Sequence, residues 1–438
     1  MLNLPKSRIL ISGGLKDMAR ISIVKLSEIE GVKRFDAGRY RTSFLKLEKN
    51  LKKITIIRKL GYLVVEPVRT GYTPRDRDIY PDDIRIHFLK TDNLREGVID
   101  FENSDSLPAR SLAENDYLKF KDVIVTISGA RYDLIGRASI FLDYYPQSVI
   151  NQNIAVIKTD ENLLSPFYLT IFLNSKYGKE QLWMLCRQTE QFSLSCREVE
   201  ELLIPLFAAD FQQEMETIAK NSFNLIEKAK SLYSQAEKLL LEKLELKEFQ
   251  VEYELSYTAN LSKAFGVHRI DAEYFQTTYD GFMECLKEHS KIVKLKEFII
   301  DFQKLKAFYE PKVGDFLLTK DVMPGIAYVV KEPLGGVTSG DIMLLNINEN
   351  KINKEYLAFC INSIIGKLQV EREGGRSGII HWGPEQIQNL QVPILHKKVQ
   401  EEISSLIKQS HETKQRAKEL WEEARRKVEK AIKNEIRK

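Results

Sequence analysis

Residues Asp210–Lys247 read DFQQEMETIAKNSFNLIEKAKSLYSQAEKLLLEKLELK. Apolar or small residues recur at Met215, Ile218, Ser222, Leu225, Ala229, Leu232, Ala236 and Leu239. The steps alternate three and four, so these positions form one seam of a long helix. Ile226, Tyr233 and Leu240 widen the seam, and Lys and Glu fill the other faces. No Gly or Pro interrupts the run, which at about 1.5 Å per residue spans about 55 Å. A helix cannot bury such a seam against itself, so it needs a partner of similar length.

The C-terminal stretch Val399–Ile432, VQEEISSLIKQSHETKQRAKELWEEARRKVEKAI, supplies one. A single shift of 188 lays Gln212 on Gln400, Glu214 on Glu402, Ala229 on Ala417, Lys230 on Lys418, Leu232 on Leu420 and Ala236 on Ala424 (424 − 236 = 188). Small residues on both seams let the two backbones approach closely.

The similarity extends upstream of the helices. RFDAGRYRTSFLKLEKNLKK at Arg34–Lys53 returns as RIDAEYFQTTYDGFMECLKEH at Arg269–His289, a shift of 235 (269 − 34 = 235). The first copy predicts a turn and an amphipathic helix with Phe44, Leu47 and Leu51 on one face. Lys121–Gly129, KDVIVTISG, is echoed from Gly314 as GDFLLT with a shift of 193 (314 − 121 = 193). Ile135–Ala138 is echoed at Pro324–Ala327, and from Val149 onward the shift settles at 188. Asn174-Ser175 then falls on Asn362-Ser363, and Leu203-Ile204-Pro205 on Gln391-Val392-Pro393. A repeat of this length signals a duplicated domain rather than a solenoid. The fall in shift means that the second copy lacks 42 residues (235 − 193 = 42) between about Leu60 and Asp122.

That extra region is strand-rich. Ile84–Leu89 alternates like a half-buried strand, and Leu94–Ile99 resembles a hairpin end. Ile9–Gly14 is a short strand and turn or part of a loose arm. The expected segments are an N-terminal arm at 1–20, a first globular domain at 21–207 and a central long helix with linker at 208–262. A shortened second domain at 263–395 and a C-terminal long helix at 396–438 follow.

At 438 residues the chain has room for two or three domains, each with a full core. A net charge of +4 with 29% charged residues neither demands nor excludes nucleic acid, because a local patch matters more than the sum. Cys186, Cys196, Cys285 and Cys360 form no CxxC pair, and no His stands at metal spacing. Reduced, buried thiols in a cytoplasmic protein are expected. With no apolar run of 18 residues and no secretory h-region, neither membrane insertion nor secretion is expected.

Two related domains on two related helices imply pseudo-two-fold symmetry. If the helices are antiparallel, the domains are held apart by a rod of fixed length. Duplex DNA read at two half-sites suits such a ruler, and a protein scaffold is the alternative.

On the paired RFDAGRY/RIDAEYF starts, the TGYTP turn at Thr70–Pro74, the KDVIVTISG…IG strands, the NQN at Asn151–Asn153 and the Ile204-Pro205…Gln212 passage into the helix, repeated as Val392-Pro393…Gln400, the chain resembles the specificity (S) subunit of type I restriction–modification systems. No single motif is specific; their order and duplication are. The resemblance implies an α+β fold. Two strand-rich, mixed α/β target-recognition domains are separated by two long helices, which form an antiparallel coiled coil within a pseudo-two-fold internal repeat. It implies sequence-specific binding of double-stranded DNA, with each domain reading half of a split target. It also implies assembly with two methyltransferase (M) subunits and, through them, restriction/translocase (R) subunits. The S chain itself is then not the catalyst and holds no cofactor; S-adenosylmethionine, ATP and Mg are expected on the partners.

The residues agree with a non-catalytic chain. There is no NPPY-like or DPPY-like motif, Gly-rich cofactor loop, Walker motif or His/Cys metal constellation. Glu245-Leu246-Lys247 resembles a nuclease E-x-K pattern but falls in the long helix, as solvated charge. Alternatives to the type I reading are the S chain of a type II-like two-subunit system with a fused methyltransferase–nuclease, and a coiled-coil scaffold without a DNA role.

Phosphates are held by Lys and Arg, and base edges are read by Arg, Lys, Asn and Gln. The first candidate element is the Arg69–Asp78 loop, with Arg69, Tyr72, Arg75 and Arg77 around the Gly-Tyr-Thr-Pro turn; an ordinary solvated hairpin is the plainer reading. The second is Ser128–Tyr132 with Arg131, and the third Arg187–Gln191 with Arg187 and Gln188. Its second-copy counterpart is a glycine-rich loop at Arg372–Gly378 with Arg372 and Arg376. Asn151-Gln152-Asn153 either reads adenine bidentately, with Asn151 as the candidate, or forms a buried turn. The second domain has no counterpart of the Arg69–Asp78 loop, which puts its half-site in doubt.

Overall fold

Val123–Thr126 is buried at all four positions, the pattern of a strand covered on both faces. The computed structural model describes residues 8–13, 20–25, 37–188, 192–304, 309–374 and 382–438. In it this strand lies inside a four-stranded antiparallel sheet ordered Arg69–Thr70, Ile154–Ile157, Val123–Thr126, Ala138–Ile140. The chain divides into two compact units, Met1–Leu225 with Gln415–Lys438, and Ile226–Lys414.

In the first unit, the helix Pro166–Asn174 is buried at every position, its apolar residues lying on all sides and its two polar ones, Thr170 and Asn174, hydrogen-bonded. Asn174 fastens it to the sheet, accepting from the Ala138 N–H at 3.3 Å and donating to the Ala138 carbonyl at 2.8 Å. The Tyr168 hydroxyl donates to the Pro205 carbonyl at 2.7 Å, and full burial pushes that phenol well above its ordinary pKa. The region absent from the second copy forms a second sheet. Arg85–Leu89 pairs antiparallel with Asp105–Pro108 and parallel with Ser148–Ile150. Leu94 bridges Ile99, so the expected hairpin end is there. The helix Thr42–Leu51 buries Phe44, Leu47 and Leu51 as its spacing predicts; Arg34–Asp36 lie outside the described residues. Arg8–Gly13 pairs antiparallel with Arg20–Lys25.

In the second unit, a four-stranded antiparallel sheet runs Ile299–Lys304, Ile342–Ile347, Phe316–Thr319, Ala327–Val329. The helix Lys354–Asn362 packs on it. Asn353 caps this helix, accepting from the Glu355 and Tyr356 N–H groups at 2.8 and 3.1 Å. The Tyr356 hydroxyl donates to the Pro393 carbonyl at 2.8 Å, and Asn362 exchanges two bonds with Ala327, each at 2.8 Å.

The central helix spans Ala209–Lys243 and the C-terminal helix Lys397–Arg437. Within the first unit, Ser222 donates to the Ala417 carbonyl at 2.8 Å, and Lys427 pairs with Glu214 at 2.5 Å. The numbers rise on one helix as they fall on the other, so these segments are antiparallel. Within the second unit, Ser410 donates to the Ala229 carbonyl at 2.7 Å.

The central helix ends four residues before the expected Lys247. Glu245 takes a left-handed φ of 53°, its N–H bonds Glu242 at 3.2 Å, and the Leu246 N–H bonds Leu241 at 2.9 Å. This pair of bonds is a Schellman stop, and the buried Leu246 supplies its apolar contact. Glu245-Leu246-Lys247 is therefore a helix terminus rather than a solvated helix face. Cys186 and Cys360 are buried as expected, whereas Cys196 and Cys285 are half-buried. Among the described residues no helix is long and apolar enough to cross a membrane.

Candidate nucleic-acid interface

The turn Thr70–Pro74 is built around Gly71, where an added Cβ would lie 1.9 Å from the Ile150 carbonyl oxygen. Only glycine permits that approach. Gly71 N–H then donates to the Ile154 carbonyl at 3.2 Å and Tyr72 N–H to the Ile150 carbonyl at 3.1 Å. The Thr73 hydroxyl donates to Gln152. The TGYTP turn and the Asn151–Asn153 turn thus lie side by side.

The chain of contacts continues. Ile127 and Ser128 N–H both donate to the Asn153 carbonyl, at 2.9 and 3.3 Å. Ser128–Gly129 pairs with Phe192–Ser193, which pairs with Arg187–Gln188. All the first-unit candidate segments therefore form one hydrogen-bonded rim, although they come from four separated parts of the sequence.

The candidate side chains differ in availability. Arg69 sits in an edge strand, 3.9 Å from Glu66. Tyr72, Arg75 and Arg77 are exposed, and among the described residues neither Arg75 nor Arg77 has an ion-pair partner. Of the nearby acids, Asp76 and Asp83 are drawn to Arg110, which pairs with Asp76, donates to Asp83 at 3.0 Å and to the Asp78 backbone carbonyl at 2.9 Å, and lies over the Tyr80 ring. Arg131 forks onto Asp133 at 2.9 and 2.7 Å, which holds that carboxyl below its ordinary range. Both are exposed, so the pair is weak and releasable. Arg187 donates to Glu198 at 3.2 Å, while the other oxygen of Glu198 closes a capping box with Ser195. Gln188 lies in the rim strand.

Asn151 takes the turn-forming alternative. It is 9% exposed, and its side-chain oxygen accepts from the Asn153 N–H at 3.1 Å. The exposed member of the triplet is Gln152. Sequence reasoning named Gln152 only within the Asn151–Asn153 triplet and missed Arg110, which nothing near it in sequence marks as a brace.

The second-unit candidates are Arg372 and Arg376. Arg372 was expected in a loop, but Arg372–Gly374 is the last turn of the helix Ile364–Gly374. Its guanidinium pairs with Asp280 at 3.0 Å and lies over the rings of Tyr274 and Tyr279 at 4.7 and 5.8 Å. It lines a cavity of about 190 Å³ with Trp382 and Gln386. Arg372 is a packed clamp rather than a free cation. Arg376 lies outside the described residues.

No protein-family model and no curated protein matches the chain. Among solved structures, the S subunit of a type I restriction–modification system from M. genitalium is 14% identical, with a TM-score of 0.43, covering 87% of this chain and 96% of that one. The HsdS subunit from Thermoanaerobacter tengcongensis is 14% identical, with a TM-score of 0.30, covering 87% and 96%. The type IIG restriction endonuclease BpuSI is 11% identical, with a TM-score of 0.34, over 46% of this chain and 31% of that one. Solved structures similar to most of this chain thus include S subunits of type I restriction–modification systems.

Proposed function

We propose that this chain is the DNA-reading specificity subunit of a type I restriction–modification complex. It contains two copies of one recognition unit, each reading half of a split duplex target. The two long helices form an antiparallel coiled coil. Methyltransferase subunits dock on the chain and carry S-adenosylmethionine; restriction subunits join through them with ATP and Mg. The complex works in the cytoplasm, and this chain supplies recognition, not catalysis.

One observation carries the reading: the bonds between the helices are reciprocal under the sequence repeat. Ser222 donates to Ala417, and Ser410 donates to Ala229. Both serines and both alanines are 188 apart (410 − 222 = 188; 417 − 229 = 188). Such reciprocity is what a pair of antiparallel, repeated helices produces. The globular parts support it, since the two sheets have the same strand order, with three strands at offsets of 188 to 193 and the edge strand at 234 (304 − 70 = 234). Gln181 exchanges two bonds with Leu203 at 3.0 and 2.9 Å, and Gln369 two with Gln391 at 2.9 and 2.8 Å. The first-unit rim, with Tyr72, Arg75, Arg77, Gln152, Arg131 and Arg187 along it, has the donors and cations that phosphate and base-edge contacts need.

The test is a methylome. The full chain is co-expressed with its methyltransferase in a methylation-free host, and modified adenines are mapped by long-read sequencing. The expected result is a split motif with methyl-adenine on both strands. No motif from a verified complex with an active methyltransferase would overturn the reading.

A further inference from the structure

The loop between Phe316–Thr319 and Ala327–Val329 occupies, in the second unit, the place that Ile127–Ile135 occupies in the first. The anchors match one by one. The Thr126 hydroxyl accepts from the Arg137 N–H at 3.0 Å, and the Thr319 hydroxyl from the Ile326 N–H at 3.0 Å. Gly136 and Gly325 both have left-handed φ, 83° and 85°, and donate to the Thr126 and Thr319 carbonyls at 2.9 and 3.0 Å. The Leu194 N–H donates to the Ile127 carbonyl at 2.8 Å, and the Trp382 N–H to the Lys320 carbonyl at 2.7 Å. Ile127 and Lys320 N–H donate in turn to Asn153 and Asp341, both at 2.9 Å.

The tips differ in chemistry. In the first unit the loop presents Arg131, which is exposed. In the second it presents Val322 and Met323, which are 65% and 67% exposed, followed by Pro324. Lys320 and Asp321 pair with each other at its base, leaving the tip without a charge of its own.

The tip is also strained. Met323 N–H donates to the Asp321 carbonyl at 2.8 Å, closing a three-residue turn around Val322 at φ 65°. A γ-turn with positive central φ is the rare, strained form, and a β-branched residue is the least suited to it. Glycine or asparagine would hold the same backbone at less cost. An exposed Val322 returns no burial for that strain. Outliers of this kind persist where the surroundings over-determine them, and they cluster at functional sites. Here the Thr319 hydroxyl donates to the Met323 carbonyl at 2.6 Å, and an added Cβ on Gly325 would lie 2.4 Å from Val370. The base is locked and the apolar tip is held outward.

We infer that Val322 and Met323 form an apolar wedge that enters the duplex at the second half-site and partly unstacks one base step. The inference rests on the DNA-reading function proposed above. DNA is the occupant because the matching loop of the first unit lies on the cationic rim. Short apolar side chains such as these are what proteins press between base pairs to kink a duplex. The shortened unit then selects its half-site through the deformability of the step rather than through hydrogen bonds to base edges.

The test uses the full chain in complex with its methyltransferase and duplexes of the methylome-defined target, each carrying one 2-aminopurine. Binding of the wild-type complex is expected to raise fluorescence several-fold at one or two adjacent positions of one half-site, apart from the methylated adenine. Met323→Ala and Val322→Gly are expected to remove that signal while the signal at the methylated adenine persists. Val322→Gly is also expected to raise the melting temperature, since it relieves the turn, so loss of signal in that variant is not loss of fold. Intact specific binding with the same fluorescence in both variants would overturn the wedge and leave the DNA reading standing. Unchanged fluorescence with loss of methyltransferase assembly would overturn it too and assign the tip to a protein partner. Absence of specific binding by the wild-type complex would overturn the DNA reading, and the wedge with it.

Discussion

Arg269 donates to both oxygens of Asp271, at 2.8 and 2.6 Å, and to the Glu373 carbonyl at 2.7 Å, and lies 4.5 Å from the Tyr274 ring centre. The RIDAEYF string is thus a clamp on the end of the helix Ile364–Gly374. The hydrogen-bonded Arg269 holds the Asp271 carboxyl below its ordinary range. A carboxylate with a lowered folded pKa stabilises the native state above its unfolded value, near 3.9, and that contribution is lost as pH falls through the folded value. Asp271→Asn is therefore expected to lower the melting temperature by roughly 2–4 °C at pH 7, the effect of about 1 kcal/mol. The gap to wild type should close as pH falls below about 4, and a gap constant from pH 7 to 3 would show that the fork does not act through charge. The recurrence of this string was legible in the sequence, but its task was not. Arg269 and Glu373 are about a hundred residues apart, so no spacing connects them. Arg372 was misread for the same reason: its Asp280 and Tyr274 partners come from a distant helix and turn. Asn151 shows the limit of residue type, since an amide that can read adenine can equally cap a turn, and burial decides which.

The long helices show how far periodicity reaches. Met215, Ser222, Ala229 and Ala236 are buried as the three–four spacing predicts, and so is Leu240. Ile218, Leu225, Leu232 and Leu239 are only half-buried, while Ala219, Phe223 and Leu244 are buried instead. Phe223 explains part of the rotation, because its ring meets Trp421 of the C-terminal helix at 5.7 Å and Phe167 of the globular part at 6.5 Å. One flank of the stripe belongs to the helix pair and the other to the domain, which a pattern for two helices alone does not include. The end at Lys243 was hidden because its left-handed stop is Glu245 rather than glycine. Ser222 is 1% exposed, and its hydroxyl donates to the facing backbone, so the seam there depends on small volume as well as on the bond. Ser222→Ala is expected to cost about 1 kcal/mol for the lost bond. Ser222→Leu is expected to cost about 1–3 kcal/mol more through overpacking. Thermal unfolding of the full chain distinguishes them; a leucine variant as stable as the alanine variant would mean a loosely packed seam.

At the scale of the molecule, the 42-residue difference between the halves (235 − 193 = 42) was legible in the sequence as a change of shift. What it builds was only partly legible. The strand Arg85–Leu89 alternates visibly, whereas its parallel partner Ser148–Ile150 lies beyond the central strand in sequence. The insertion also braces the C-terminal helix within the first unit. Gly97, at φ 89°, sits where a Cβ would come 2.6 Å from Trp421, and Glu96 pairs with Arg425 at 3.2 Å. Arg110, on the same insertion, pairs with Asp76 and Asp83 and leaves Arg75 and Arg77 as rim cations without an ion-pair partner among the described residues. Electrostatic attraction of the first unit to phosphate should therefore depend on Arg75 and Arg77. In the partner-bound complex, Arg75→Ala and Arg77→Ala are each expected to weaken binding to specific and nonspecific duplexes alike. Each should reduce the slope of log affinity against log salt by about 1, as loss of one phosphate contact does. The methylated motif should remain the same, because such contacts position the protein without reading sequence. A changed motif would instead make the substituted arginine a base reader, and an unchanged salt slope in both variants would remove the Arg69–Asp78 loop from the phosphate contacts.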